Sequence, residues 1–435
     1  MSVWRWEKNQ IIFGRLIALC VFFLILGLLI FARLFYLQVL QLDKYTYLAD
    51  RNRISTRYLA PQRGIITDRF GIKLAENKKN FIAVLVKEES KNYKETFQNF
   101  QMLIPLEEDE ILRIESDLKN KKAFIPIRLK ENLSFQEVAL LQLNAPDLRG
   151  IRIEENLMRF YLFGLSSAPI VGYVSLLNDQ DAQNNVPLEF WELAGYRIGR
   201  TGIEQSMEER LKGTPGVIKK EVNAFGRSVR VLEDIAPIAG EEIQLTIDNE
   251  LQFFITHLMK DEAGSAIVMD VKTGEIRALV STPPYDSNIF TTPISKNVWA
   301  GLIENKKRPL QNKAISGIYS PGSIFKLVVA IAGLESGDIN PQAKVNCTGK
   351  TTLGNHLFHC WRPHGHGAMT LQDAIMHSCD VYFYEMVQKI PVEKIISVAR
   401  RLSFGDIAGL EIAGEKKGLL PTPEWKKETK KDAWR

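Results

Sequence analysis

The spacing of hydrophobic and polar residues divides the chain into three regimes. The first is a continuous apolar run, "LIALCVFFLILGLLIFA", from Leu16 to Ala32. At 1.5 Å per residue it is about 26 Å long, close to the ~30 Å hydrocarbon core of a bilayer, and it predicts one membrane helix over 16–37. Arg33 can snorkel while Leu34, Phe35 and Tyr36 extend the helix. No small-x-small cleavage site follows, so the reading is a retained anchor and not a cleaved signal peptide. Arg5, Lys8 and Arg15 precede the run, which places residues 1–15 in the cytoplasm and the bulk of the chain outside it, although Arg33 and Lys44 weaken the bias.

The second regime, 38–238, begins with helical spacing in "FYLQVLQLDKYTYLADRNRI", broken at "APQRG". Short β-like runs ("FIAVLV", "GIRI") then alternate with charged helical segments ("EEDEILRIESDLKNKK"), a mixed α/β pattern. Ser134 and Glu137 form a capping-box signature before "VALLQL". In the third regime, 239–435, "IQLTI" reads as a short strand and "FFITHLM" as a helix. "SAIVMDV" and "EIRALVS" read as a hairpin turning at Lys272-Thr273-Gly274. A helix opens at "YSPGSIFKLVVAIAGLESG", with Ser320 as its expected cap and Pro321 in its first turn. After a His/Cys-rich loop, one long helix is expected through "LQDAIMHSCDVYFYEMVQKI". Two strands followed by clustered helices predict an α+β domain. Phe253, Phe254, Leu327 and Val328 are expected in its core.

Composition changes this picture little. At 435 residues, 45% hydrophobic and 25% charged, the chain suits more than one globular unit. A net charge of +5 with no basic stripe excludes a nucleic-acid partner.

Candidate chemistry changes it more. Residues three apart share a helix face, so Lys326 can bring its amine to Ser323 beside a helix N-terminus, an activated-nucleophile arrangement. An unperturbed lysine, pKa about 10.4, is neutral in only about 1 molecule in 2,500 at pH 7, so acting as a base demands burial. The pattern alone is weak, because Ser116 to Lys119 repeats it in a charged, solvated helix. The bland alternative is a first-turn serine beside a snorkelling lysine.

Five further stretches, "RGIITDRFGIKLAEN", "GRTGIEQSMEERLKGTPG", "SAIVMDVKTGEIRALVSTPPYDSN", "YSPGSIFK" and "SCDVYFYE", together resemble the class B penicillin-binding proteins, the peptidoglycan D,D-transpeptidases. Ser378-Cys379-Asp380 has the Ser-x-Asp form of the family's elongation branch; a division-type enzyme would carry Asn where Asp380 stands. The resemblance implies a membrane-anchored pedestal and a penicillin-binding/β-lactamase-like transpeptidase domain, an antiparallel sheet with helices. It makes Ser323 the acylated nucleophile, Lys326 its base, Ser378 a proton relay and Asp380 the residue that orients that relay or touches the peptide. Substrates would be D-Ala-D-Ala stem peptides, with β-lactams as trapping ligands. A SEDS-family glycosyltransferase and other elongation-complex proteins would be partners at the bacterial inner membrane, with the bulk of the chain in the periplasm.

The third family motif, Lys-Ser/Thr-Gly, should follow Asp380 and does not occur there; Lys272 to Gly274 lies too early and reads as a hairpin turn. The expectation is an incomplete domain with little turnover alone and an uncovered sheet edge. The rival class is a non-catalytic scaffold engaging the glycosyltransferase.

One more cluster stands out. Residues 347–379 hold Cys347, Cys360 and Cys379 and five of the six histidines. Cys347, Cys360, His366 and Cys379 would make a tetrahedral Cys₃His set for Zn²⁺. His356, His359, His364 and His377 compete for the histidine position, and one disulfide plus a buried thiol remains an alternative. The resemblance favours a structural metal, because elongation transpeptidases can carry one in this loop with a ligand at the middle of the second motif.

Overall fold

The computed structural model describes residues 19, 21–41, 54–120, 123, 126–183, 186–193, 195–222, 228–292 and 294–430. The expected cytoplasmic segment 1–15, the first residues of the expected span and residues 42–53 of the juxtamembrane stretch lie outside them. The chain forms two compact units.

The first unit is drawn from the segments up to Gln62, Leu177–Tyr196 and Lys212–Gly240. Its helix Val21–Val39 is long and apolar enough to cross a membrane and has apolar side chains exposed all round. A three-stranded antiparallel sheet follows, with Gly216–Val222 between Ile54–Leu59 and Ser228–Ile235.

The second unit joins Arg63–Leu176, Arg197–Leu211 and Glu241–Arg435. Its five-stranded sheet is built around the long strand Lys73–Leu85, which pairs antiparallel with Ile66–Thr67, Ile127–Lys130 and Ile151–Tyr161. Ile243–Gln244 adds in parallel to Ile66–Thr67. Ala83 and Leu85 of the long strand pack with Phe97, Phe100, Ile114 and Leu118 from the helices Tyr93–Leu103 and Glu108–Asn120. The capping box forms as the sequence indicates: the Glu137 amide donates to Ser134 Oγ (3.2 Å) and the Ser134 amide to Glu137 Oε2 (2.7 Å). Ser116 and Lys119 are exposed on their helix, so the second S-x-x-K pattern carries no site.

A buried ion cluster ties together three segments of this unit. Glu204, fully buried, accepts from Arg63 Nε and Arg159 Nε, each at 2.6 Å. Arg63 also pairs with Glu208 at 2.5 Å, and the buried Tyr161 hydroxyl donates to Glu204 at 3.3 Å. Burial works against ionised Glu204, but Arg159 and Arg63 outweigh it and hold its pKa below the ordinary value of 4.5.

In the later part of the unit, Asp248 caps the helix Asn249–Met259, and the hairpin Gly264–Met269/Ile276–Thr282 follows. Asp270 closes its turn by accepting from the Lys272 and Thr273 amides, so Lys-Thr-Gly is structural here. The buried Gln252 amide pins helix to hairpin. It donates to the carbonyls of Ser166 and Leu279 (2.8 and 2.9 Å) and accepts from the Leu279 amide (2.8 Å).

Three expectations need correction. Phe253, Phe254 and Leu327 are about half exposed, and only Val328 is core: the apolar helix faces are wider than the surface they cover. Ser320 caps nothing; a 3₁₀ turn, Gly322–Ile324, precedes the helix Phe325–Ser336 and has Pro321 before it with no side-chain cap. The expected long helix is two, Leu371–Met376 and Asp380–Val387, separated at His377–Cys379.

Removing one member of a buried ion cluster strands its partners. Glu204→Ala is expected to cost about 3–5 kcal/mol in chemical denaturation. Because the folded carboxyl titrates below its unfolded value, Glu204→Gln should differ most from the parent above the ordinary glutamate range. The difference should shrink as pH falls through the depressed folded value.

Candidate active site and metal cluster

The break between the two short helices is where the chemistry collects. Ser378 has φ 49°, a left-handed conformation a serine adopts only when its surroundings hold it there. This turns its side chain towards the 3₁₀ turn that carries Ser323, and the two hydroxyl oxygens are 2.7 Å apart. Lys326, on the first turn of Phe325–Ser336, donates to Ser378 Oγ (2.9 Å), Ser378 O (2.8 Å) and Asp380 Oδ1 (2.6 Å). Three oxygen partners match the three N–H bonds of an ammonium. The amine therefore meets Ser323 through Ser378 and not by the direct contact that spacing suggests.

The pair is partly shielded, with side-chain exposures of 14% for Lys326 and 23% for Asp380, while Ser323 itself is exposed. Burial disfavours ionised Asp380, but the Lys326 hydrogen bond and the Trp361 amide overcome it and hold the carboxyl below the usual aspartate range. Trp361, which sequence reasoning missed, donates its amide to Asp380 Oδ2 at 2.9 Å. Its indole N–H points at the carbonyls of His377 and Ser378, each at 3.1 Å. Its only sequence signal is an aromatic residue directly after a candidate metal ligand.

Behind this surface lie the thiols. Cys347, Cys360, His366 and Cys379 bring one ligand atom each into a group whose members all lie within 4.8 Å of one another. The competing histidines 356, 359, 364 and 377 are exposed and outside that group. His366 Nδ1 is 3.7 Å from Cys347 Sγ and 3.5 Å from Cys360 Sγ. A tetrahedral zinc, with Zn–S about 2.3 Å and Zn–N about 2.0–2.1 Å, sets sulfur and nitrogen about 3.6 Å apart, so spacing and donor chemistry both fit. The three cysteines are buried and free, without a disulfide. Burial opposes ionisation of Cys360, yet the amides of Arg362, Asp380 and Val381 aimed at its sulfur lower its pKa. Burial, and then the neighbouring thiols, push Cys379 up to about 12.

The Penicillin-binding Protein dimerisation domain family matches residues 58–245, and the Penicillin binding protein transpeptidase domain family matches 264–433. Peptidoglycan D,D-transpeptidase MrdA of Escherichia coli is 32% identical over 98% of this chain and 68% of its own length. The chain belongs to the penicillin-binding protein 2 (MrdA) family. The MrdA of Acinetobacter baumannii is likewise 32% identical, over 98% of this chain and 64% of that relative, so the chain spans about two thirds of the length of these family members. Among solved structures, penicillin-binding protein 2 of Helicobacter pylori in complex with MreC superposes with a TM-score of 0.78 at 27% identity, covering 88% of this chain and 72% of that one. Penicillin-binding protein 2 of Pseudomonas aeruginosa in complex with WCK 5153 gives 0.62 at 29% identity, over 88% and 64%.

All four residues that the family resemblance marked, Ser323, Lys326, Ser378 and Asp380, thus converge in this penicillin-binding protein, and so do the four candidate ligands. The left-handed backbone at Ser378 gives a direct check on the geometry. Ser378→Gly should be the more stable of two variants that lack the hydroxyl, exceeding Ser378→Ala by about 1 kcal/mol in urea denaturation, because only glycine adopts φ > 0 without steric cost.

Proposed function

We propose that this chain belongs to a membrane-anchored peptidoglycan D,D-transpeptidase of cell-wall elongation and is acylated on Ser323. The observation that carries the reading is the unbroken line Ser323 Oγ, Ser378 Oγ, Lys326 Nζ, with contacts of 2.7 and 2.9 Å. Lys326, an ammonium in the resting contacts, first gives up a proton to solvent; in the first half-reaction the Ser323 proton then passes to Ser378 as the Ser378 proton passes to the neutral amine. Ser323 Oγ then attacks the carbonyl of the penultimate D-alanine. Collapse of the tetrahedral adduct breaks the amide bond, and the terminal D-alanine leaves with a proton returned along the same line. In the second half-reaction an acceptor amine from another strand attacks the acyl-serine, gives its proton to the relay and frees Ser323. Asp380 fixes the lysine throughout. β-Lactams would stop the cycle at the acyl-enzyme.

The Cys347, Cys360, His366 and Cys379 set would hold a structural zinc. When bound, the metal supplies a cross-link between the loop 347–366 and the second motif; four protein ligands leave no open position for a catalytic water. The chain's own part is to bring Cys379, between Ser378 and Asp380, to that cross-link. The apolar helix would anchor the protein in the bacterial inner membrane with its bulk in the periplasm. A SEDS-family glycosyltransferase and elongation-complex proteins would be its partners; a protein of the MreC type is favoured by the Helicobacter pylori complex.

Incubation with penicillin is expected to add one acyl adduct by intact mass to the parent and none to Ser323→Ala. Extending the chain with a relative's Lys-Ser/Thr-Gly strand, the source of a further oxyanion donor, should raise acylation by about 10²–10³. An extended chain that stays unmodified would sink the catalytic assignment and favour the scaffold. For the metal, purification without chelator should yield about one zinc per chain by atomic emission. Cys360→Ser or His366→Ala should lose it, and His364→Ala should keep it.

A further inference from the structure

We propose that Trp361 is a positioning residue for the Ser323–Ser378–Lys326 relay. This inference rests on the reading of Ser323 as the acylated nucleophile and goes beyond it, by naming what holds the relay serine in place.

Ser378 is the strained point of the motif. Its φ of 49° is unfavourable for a serine, so partners must hold the backbone there. Its own amide donates to Ile375 O at 3.2 Å, and the Cys379 amide to Ala374 O at 2.9 Å, which closes the turn on one side. On the other side the Ser378 carbonyl takes two donors, Lys326 Nζ at 2.8 Å and Trp361 Nε1 at 3.1 Å. The same indole N–H also reaches His377 O at 3.1 Å, so one donor spans the two carbonyls of the kink. Trp361's amide meanwhile occupies Asp380 Oδ2, leaving Oδ1 to Lys326. A single residue thus hydrogen-bonds both ends of the Ser378–Asp380 motif, and two of its three partners there, Ser378 O and the Asp380 carboxylate, are held by the lysine as well.

Packing does not account for the residue. Trp361 is 64% exposed, although its ring lies edge-on to His366 with centroids 5.3 Å apart. A tryptophan placed for burial turns its large apolar face inward. Here both N–H groups face the kink while much of the ring stays in water. A phenylalanine could contact His366 equally well but could not donate to the two carbonyls. The side-chain N–H is therefore the feature the position uses. Without it the Ser378 carbonyl keeps only the lysine, the kink can relax towards ordinary helix, and Ser378 Oγ drifts off the line between Ser323 and Lys326.

The test is Trp361→3-benzothienylalanine, which keeps ring shape and stacking but has sulfur for the N–H, beside Trp361→Phe. Acylation by a fluorescent penicillin is followed as a saturation series, with hydrogen exchange by mass spectrometry over 377–380, melting temperature and zinc content. Both variants should lower the limiting acylation rate about tenfold, the rate equivalent of one lost hydrogen bond, with half-saturation within about twofold. Exchange at 377–380 should quicken by a similar factor while melting and zinc hold. Unchanged limiting rate and exchange in the benzothienyl variant overturns the proposal. A rate loss that comes with lost zinc or a collapsed melting transition overturns it too, since the role would then be structural. If even the parent is not acylated, the transpeptidase reading fails for this chain, and exchange alone decides: faster exchange at constant melting supports Trp361 as the brace of the kink, unchanged exchange overturns it.

Discussion

The site depends on a single backbone conformation, the left-handed kink at Ser378. Were Ser378 helical, Leu371–Met376 and Asp380–Val387 could run as one helix. Successive side chains would then fan out at helical intervals, and no one surface could receive all of them. The kink lets three consecutive residues serve three directions. Ser378 faces Ser323, Cys379 turns inward to the other thiols, and Asp380 meets the lysine. Strain of this kind persists only where neighbours over-determine it, and the lysine, the indole and the closed turn do so together.

The kink also explains why an exposed serine and a half-shielded lysine can coexist. Ser323 sits on a 3₁₀ turn open to solvent, where a large substrate can reach it, whereas Lys326 is one turn deeper with all its partners in place. Depth and access are separated along one helix start. Ser378 bridges the two levels, so the exposed Ser323 hydroxyl is linked by hydrogen bonds to a sheltered amine.

Much of this was legible in the sequence, for identifiable reasons. The Ser134 box, the Asp270 turn and the apolar run depend on local chemistry, and each appears where the pattern put it. The four metal candidates were legible in the clustering of cysteines and histidines, whereas the four site residues stood out only through the separate family stretches; spacing alone gave Ser116–Lys119 equal standing with Ser323–Lys326. What was not legible is non-local. The helix break at Ser378 is imposed by contacts from residues 326 and 361, and nothing in "IMHSCDVYF" announces it. Ser320 looks like a cap, but a 3₁₀ turn moves the helix start beyond its reach. Phe253 and Leu327 have the composition of core residues, and their exposure depends on which surfaces meet them in three dimensions.

The second unit is fastened by two devices of opposite chemistry. The cluster of Arg63, Arg159 and Glu204 holds by charge, while Gln252 holds helix Asn249–Met259 to the hairpin with a neutral amide. Acid that neutralises a carboxylate loosens the first and leaves the second intact, since a primary amide does not titrate. The two fastenings therefore do not share a common weakness. Protonation of Glu204, which needs a pH below the ordinary glutamate range, would loosen the strand-rich end while the Gln252 bonds persist, a graded response that a unit fastened throughout by ion pairs could not give.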